Sequence, residues 1–450
     1  MMIKKNDYFD INITDIGING EGIGKIDNFT IFVEGALPNE KVNIKIIKVK
    51  KNYGYGKLIK VITPSPYRKE PICKYFNKCG GCNLLHLDYN QQLNIKSKFI
   101  QSNLKKIAKI EDIKVPVAIG MDNPFNYRNK ASFPINFTDK INIGFYKPRS
   151  HNIINIDNCI IQNPINNIII EKTREFIKES NISIYDENSG KGDLRHIVTR
   201  VANKTNEILI CLVINNNKFL YKDLLIKKFK NIPNLDSIVI NYNTNKNNVI
   251  LGDKIENIFG KGYIIDYIKD LKFNISPLSF YQVNPIQTEL LYEKALQFCN
   301  LTGDEIVFDA YCGIGTISLF LAKNCKKVYG IEIVPDAIKN AKENAKINNI
   351  TNAQFFVGKS EDIIPKLIFE ENIYPDVIVV DPPRKGCDIA LLDAIAKTNI
   401  KKLVYVSCDN ATLARDINYL SNFGFKLDKI QPVDMFCMTT HIECVALITK

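Results

Sequence analysis

The stretch IVFDAYCGIGTISLFLAKN, residues 306–324, decides the fold. Ile306, Val307 and Phe308 make a short apolar run ending at Asp309, which reads as a buried strand. Residues 310–316, AYCGIGT, form a glycine-containing turn, and 317–324 reads as a helix. The next strand is expected at 328–333 and contains Glu332, a helix at 335–344 follows, and a further strand at 376–380 runs into DPPRKG, 381–386. Strands alternating with helices imply a parallel sheet covered on both faces. A strand, G-x-G, a helix and then a strand ending in an acid is a nucleoside-binding arrangement, because the carboxylate can hold a ribose diol. Ser318 stands where a third glycine would complete G-x-G-x-x-G. That disfavours a dinucleotide and favours S-adenosylmethionine, which has no pyrophosphate to cradle.

Outward from this core, LVYVSCDNATLARD, residues 403–416, repeats the pattern. Residues 403–406 read as a strand and 411–416 as a helix that Asp409 or Asn410 can cap. Cys408 falls between them, at the sheet edge where ligands bind in such folds. Free amides and the helix dipole at that position favour a thiolate. The alternative for Cys408 is a small buried apolar residue. Asp381-Pro382-Pro383 is a stiff loop suited to presenting carbonyls and a carboxylate to a flat base. Methylating C5 of a pyrimidine demands more, since that carbon is a poor nucleophile. A thiolate must add to C6 and a base must later remove the C5 proton. Cys408 suits the first role. Glu443, in HIECVAL (441–447) at the head of an apolar strand, suits the second, with partial burial raising its pKa toward neutrality. A surface strand-end carboxylate is its alternative. Cys312 and Cys387 read as structural thiols, and His441 as a neighbour rather than a catalyst.

The chain has 450 residues, 45% hydrophobic and 24% charged, enough for two to four domains with ample core. Its formal net charge of +12 fits a polyanionic partner. The opening MMIKKNDYFD lacks the apolar core of a signal peptide, and no apolar run is long enough to span a membrane. A cytoplasmic location is therefore expected, with no membrane and no obligate protein partner. Twelve cysteines in a reducing compartment point to metal ligands or catalytic thiols rather than disulfides.

Residues 1–62 read as a small β-barrel. Glycines 17, 20, 22 and 24 mark turns, and KVNIKIIKVK (41–50) alternates apolar and polar until the doubled Ile46-Ile47, where a bulge is expected. Lys41, Lys45, Lys48, Lys50 and Lys51 beside Tyr53 and Tyr55 make a basic, aromatic surface suited to phosphates and stacked bases. A solvated, aggregation-blocking edge is the alternative. Cys73, Cys79 and Cys82 form a C-x5-C-x2-C array, and Cys159 is the nearest downstream cysteine to serve as a fourth ligand. Their spacing suits zinc or an iron–sulfur cluster equally. Residues 89–110 read as a helix, and 120–270 as mostly β. The segment FNYRNK, 125–130, is either an RNA contact or a solvated loop.

Residues 20–61 resemble the TRAM domain, an RNA-binding barrel. SFYQVNP (279–285), FDAYCGIGTISL (308–319), VYGIEI (328–333), DPPRKG (381–386), YVSCDNATLARD (405–416) and HIECVALI (441–448) resemble the RNA uracil-5-methyltransferase family. With the barrel and four cysteines, the chain is similar to the family's 23S ribosomal RNA branch. The resemblance implies a multidomain protein. Its expected parts are a TRAM-like, OB-like barrel over 1–62 and an α+β middle domain with an iron–sulfur loop over 63–270. Helix 89–110 would pack on the last of them, an α/β Rossmann-like S-adenosylmethionine-dependent domain over 271–450. The resemblance implies cofactor contacts at Gln282, Tyr311, Glu332 and Asp381, Cys408 as nucleophile and Glu443 as base. It also implies a [4Fe-4S] cluster on Cys73, Cys79, Cys82 and Cys159, 23S rRNA as partner, and Arg384 with the barrel holding the RNA backbone. The family usually has proline where Asn410 stands; asparagine can cap the next helix, so the loop should keep its shape with slightly more flexibility. The rivals are the tRNA branch, whose members typically lack the barrel and cluster cysteines, and RNA cytosine-5 enzymes, which usually carry cysteine where Arg384 stands. A non-catalytic iron–sulfur RNA-binding protein is a third.

Overall fold

The computed structural model describes residues 3–398 and 400–450. Its catalytic domain is built on seven strands: β1 (Ile306–Asp309), β2 (Lys327–Glu332), β3 (Ala353–Val357), β4 (Val377–Val380), β5 (Lys402–Ser407), β6 (Lys426–Val433) and β7 (Glu443–Thr449). They lie in the order β3-β2-β1-β4-β5-β7-β6. The first five are parallel, and β7 enters antiparallel between β5 and β6. The central strands are apolar at nearly every position because helices cover both faces; β4 and Leu403 to Val406 of β5 are fully buried. Strand order reverses between β1 and β4, and a crevice opens there at the carboxyl ends of the strands.

The amino-terminal domain is a closed five-stranded barrel. Tyr8–Ile16, Gly22–Ile26, Phe29–Glu34, Lys41–Val49 and Tyr53–Thr63 turn Ile11, Ile13, Ile31, Val33, Val42 and Ile44 inward. The expected bulge is present: Ile46 pairs with Gly56 and Lys48 with Tyr55, leaving Ile47 unpaired and exposed. Lys41, Lys48, Lys50 and Lys51 are exposed, as the alternation requires.

The middle domain carries a seven-stranded sheet with two helices, Ile165–Ser180 and Lys222–Phe229. Leu194–Val201 and Ile208–Ile214 are buried at every residue, since alternate side chains face two cores. Ile208, Ile210 and Leu212 meet the helices of the middle domain. Leu209, Cys211 and Val213 join the core of the catalytic domain. The hairpin Ile264–Ile268/Leu271–Ile275 straddles position 270 and packs Ile268, Leu271 and Phe273 into that same core. Helix Tyr89–Asn103, capped by Asp88 and prolonged by a π-helical turn, Leu104–Ala108, buries Leu93, Ile100 and Leu104 against helix Asn410–Ser421. Among the described residues, no helix is long and apolar enough to cross a membrane.

Candidate active site

The crevice at the strand-order reversal is a cavity of about 750 Å³ whose lining includes Gln282, Tyr311, Glu332, Asp381, Cys408 and Glu443. Residues far apart in the chain therefore meet, because β1, β2, β4, β5 and β7 come together at one edge. After β1 the chain turns sharply; Gly315 has φ +85°, and a β-carbon there would also crowd Ala341 and Phe355 at 3.2 and 3.3 Å. Glu332 ends β2 and organises this turn: Gly313 N–H donates to Oε2 (3.3 Å) and Val334 N–H to Oε1 (3.0 Å). Ser360 Oγ donates to the carbonyl of Ala310, tying the floor of the cavity to the loop after β3. Gln282 is buried, and its carbonyl accepts a hydrogen bond from Asn129 Nδ2 (2.9 Å).

Cys408 lies half-buried between β5 and helix Asn410–Ser421. Asp409 is the cap, accepting from the N–H groups of Ala411 and Thr412 at 3.0 Å each. Asn410 is the first helical residue and its Oδ1 accepts from Asn103 Nδ2, which ties this loop to helix Tyr89–Asn103. The rest of the surroundings work against the thiolate that the helix end is expected to favour. Burial pushes the Cys408 thiol up to about 11, and the nearby Glu443 and Asp381 carboxylates add to it; Arg384 opposes them. Desolvation and neighbouring acids both disfavour the charged thiolate.

Glu443 is the first residue of β7, paired with Val433 and only 3% exposed, deeper than the partial burial expected. Burial, then the charge of Asp381, raises its carboxyl to about 8. Among the described residues Oε2 has no hydrogen-bond partner. Asp381 itself is pushed up to about 7 by burial and by Asp309. Asp309, which sequence reasoning passed over, is fully buried at the end of β1. It accepts from Ser318 Oγ at 2.5 Å and is raised to about 6, chiefly by burial. Its signal was present: Ser318, in place of the third glycine, is the residue that holds it. His441 and Phe436 line the same cavity, their rings 6.0 Å apart. Cys312 and Cys387 are buried outside its lining.

The four predicted ligand cysteines line one separate cavity of about 300 Å³, together with Arg128 and Lys130. Burial and the neighbouring thiols raise Cys79, Cys82 and Cys159, the last to about 11. Among the described residues, no three His, Cys, Asp or Glu side chains are gathered closely enough to hold a single metal ion. Four thiols on one cavity are the donor set that an iron–sulfur cluster would take. The segment 125–130 is only partly a solvated loop: Asn126 is exposed and Phe125 part-buried. Tyr127 and Asn129 are buried, while Arg128 and Lys130 turn toward the thiols and Lys130 is lowered to about 8, mainly by burial.

Residues 88–450 match the family model described as tRNA (uracil-5-)-methyltransferase, and residues 4–59 match the TRAM domain. A Clostridium tetani protein described as an uncharacterized RNA methyltransferase is 53% identical, over 99% of this chain and 97% of that protein. One from Clostridium acetobutylicum, similarly described, is 52% identical over 100% of this chain and 98% of its own length. Among solved structures, Pyrococcus abyssi tRNA (uracil-54, C5)-methyltransferase in complex with S-adenosyl-L-homocysteine superposes with a TM-score of 0.78 at 27% identity. The match covers 98% of this chain and 100% of that one. The chain belongs to the tRNA (uracil-5-)-methyltransferase family of S-adenosylmethionine-dependent RNA methyltransferases and carries a TRAM domain at its amino-terminal end.

Proposed function

We propose that the protein methylates C5 of specific uridines in 23S ribosomal RNA, forming 5-methyluridine through a covalent adduct on Cys408. The observation that carries this reading is the entry of Cys408 and Glu443 into one cavity with Asp381 and Gln282. When bound, S-adenosylmethionine supplies the electrophilic methyl group that C5 takes up; Gln282, Tyr311, Glu332 and Asp381 are the residues to hold it. Cys408 gives up its proton to solvent water and its sulfur bonds to C6 of the uracil, sending the C5–C6 π electrons toward O4 as an enolate. After C5 has been methylated, Glu443 takes the remaining C5 proton, the C5–C6 double bond re-forms, and the carbon–sulfur bond breaks to release the thiolate. A duplex or loop uridine reaches this buried edge only by leaving its stack. Arg384 lines the cavity wall and the barrel lysines are exposed, which supports reading them as the groups that meet the RNA backbone.

Cys73, Cys79, Cys82 and Cys159 would hold the [4Fe-4S] cluster that the family resemblance implies, supported by their shared cavity. When bound, such a cluster supplies a cross-link among four thiolates and so fixes the loop that carries them. A second reading, methylation of tRNA, is favoured by the Pyrococcus neighbour, which is described as a tRNA enzyme. Because that neighbour matches nearly the whole chain, barrel included, a barrel does not by itself distinguish the two substrates. Tritium release from C5-labelled uridine decides between them. Purified protein with the methyl donor is expected to release tritium from unmodified 23S rRNA and not from bulk tRNA. Release from tRNA alone would replace the substrate, and release from neither would overturn the reaction. Cys408→Ala should abolish release while leaving affinity for the methyl donor within about twofold, since a removed nucleophile touches only the adduct step.

A further inference from the structure

Two segments run between the cysteine cavity and the methyl-transfer cavity. The first is 128–130. Arg128 and Lys130 line the cysteine side. Asn129 points the other way, with Nδ2 donating to the Gln282 carbonyl and its backbone N–H to the Val283 carbonyl, each at 2.9 Å. The second begins at Asn83, the residue after Cys82. Its Oδ1 accepts from Thr440 N–H (3.0 Å), and its Nδ2 donates to Thr440 Oγ1 (3.2 Å) and to the Asn19 carbonyl of the barrel (2.8 Å). The N–H groups of Asn83 and Leu84 both donate to the Met438 carbonyl, at 3.1 and 3.0 Å. Met438 has φ +66°, so the grip falls on a residue held in the left-handed region.

The loop gripped in this way spans both sites. Cys437 and Met438 pack in one apolar cluster with Leu85, Cys73, Cys82 and Cys159. Phe436, His441 and Glu443 of the same stretch line the methyl-transfer cavity. Tyr127 Oη, beside Arg128, also donates to the Cys437 carbonyl at 3.1 Å. Gln282 and Glu443 lie on irregular chain or at a strand end, where no regular hydrogen-bond ladder fixes the approach to them. These side-chain bonds add to the backbone bonds at Met438 and Val283 in placing them.

We propose that Asn83 and Asn129 are positioning residues, which carry the order of the cysteine centre to the two loops presenting Gln282 and Glu443. The proposal rests on reading this cavity as the methyl-transfer site. Asn83→Ala deprives Thr440 N–H of its acceptor and frees the Glu443 loop, whereas Asn83→Asp keeps that acceptor. Misplacement of a reacting group by about 1 Å costs up to roughly a hundredfold in rate.

The test uses the full-length protein as purified, with the C5-tritiated rRNA assay, titration of the methyl donor, and amide hydrogen exchange over 434–443. For Asn83→Ala we expect kcat lower by about ten- to a hundredfold and unchanged affinity for the methyl donor. Exchange should be faster at 438–443, and Asn83→Asp should restore both rate and protection. Normal kcat in Asn83→Ala, or equal loss in Asn83→Asp, would overturn the proposal. Should Asn83→Ala fail to fold, Asn129→Ser on the other route is measured instead, with weaker affinity for the methyl donor and faster exchange at 280–284 expected; both unchanged would overturn the proposal. If the wild-type protein releases no tritium, the reading of the reaction falls. Hydrogen exchange alone then decides the positioning role, and unchanged protection in the variant would refute it.

Discussion

The buried carboxyl at the head of β7 sets a pH dependence that can be worked out from the structure. Burial and Asp381 raise Glu443 to about 8 from its ordinary 4.5. A base must be ionised to accept the C5 proton. With a pKa near 8, roughly one molecule in ten carries it ionised at pH 7 and roughly one in a hundred at pH 6. The rate of adduct release should therefore climb about tenfold per pH unit up to about pH 8 and then level off. The same rise has a stability consequence. The folded chain holds this proton more tightly than the unfolded one, so the stabilisation is complete below about pH 4.5 and is lost as pH rises through 8. At about 1.4 kcal/mol per tenfold, the full effect has an upper bound of about 5 kcal/mol. Glu443→Gln removes both behaviours. Its stability relative to wild type should be nearly level at pH 5 and favour the variant by several kcal/mol at pH 9. With RNA it should accumulate a covalent adduct that survives denaturing electrophoresis. The assay pairs denaturant melts at pH 5, 7 and 9 with rapid-quench tritium release across the same range. A wild-type release rate that is flat between pH 6 and 8, together with free turnover by Glu443→Gln, would refute the assignment of Glu443 as the base.

Three further outcomes follow from other regions of the molecule. Lys96 and Asp434 form a fully buried ion pair at 2.5 Å, with Tyr89 Oη also donating to Asp434 at 2.8 Å. Lys96→Met strands the carboxylate and should cost about 3–5 kcal/mol in urea unfolding, much of it recovered by adding Asp434→Leu; no loss in the single variant would count against this. Cys82→Ser, purified anaerobically, should fall from about four irons per chain to fewer than one while still binding the methyl donor. Equal iron in variant and wild type would dismiss these cysteines as ligands. Replacing Lys41, Lys48 and Lys50 with glutamine should reduce the salt slope of RNA binding by about 0.7–0.9 for each lysine that meets a phosphate, leaving methyl-donor affinity alone. An unchanged slope would move the RNA path off this face of the barrel.

Much of the catalytic machinery is written locally in the chain. Strand, turn and helix lie within 306–324 and again within 403–416, so their residues could be assigned from period and capping alone. The barrel, its bulge at Ile46-Ile47 and its lysine face follow equally from short-range alternation. The convergence of Glu332, Asp381 and Cys408 on one edge follows from the parallel order of the strands that precede them. Tertiary structure decided what depends on desolvation and on partners far apart in the chain. The Cys408 thiol is raised because it is buried beside two acids, at the ends of β4 and β7. Tyr127 and Asn129 of segment 125–130 are buried between two cavities, a fate the segment's aromatic and basic composition does not announce. Asn83 and Thr440 stand 357 residues apart and Lys96 and Asp434 stand 338 apart. Such pairs carry no local period. Each is an ordinary polar residue in its own neighbourhood, and only burial, which makes an unpartnered polar group costly, selects its partner.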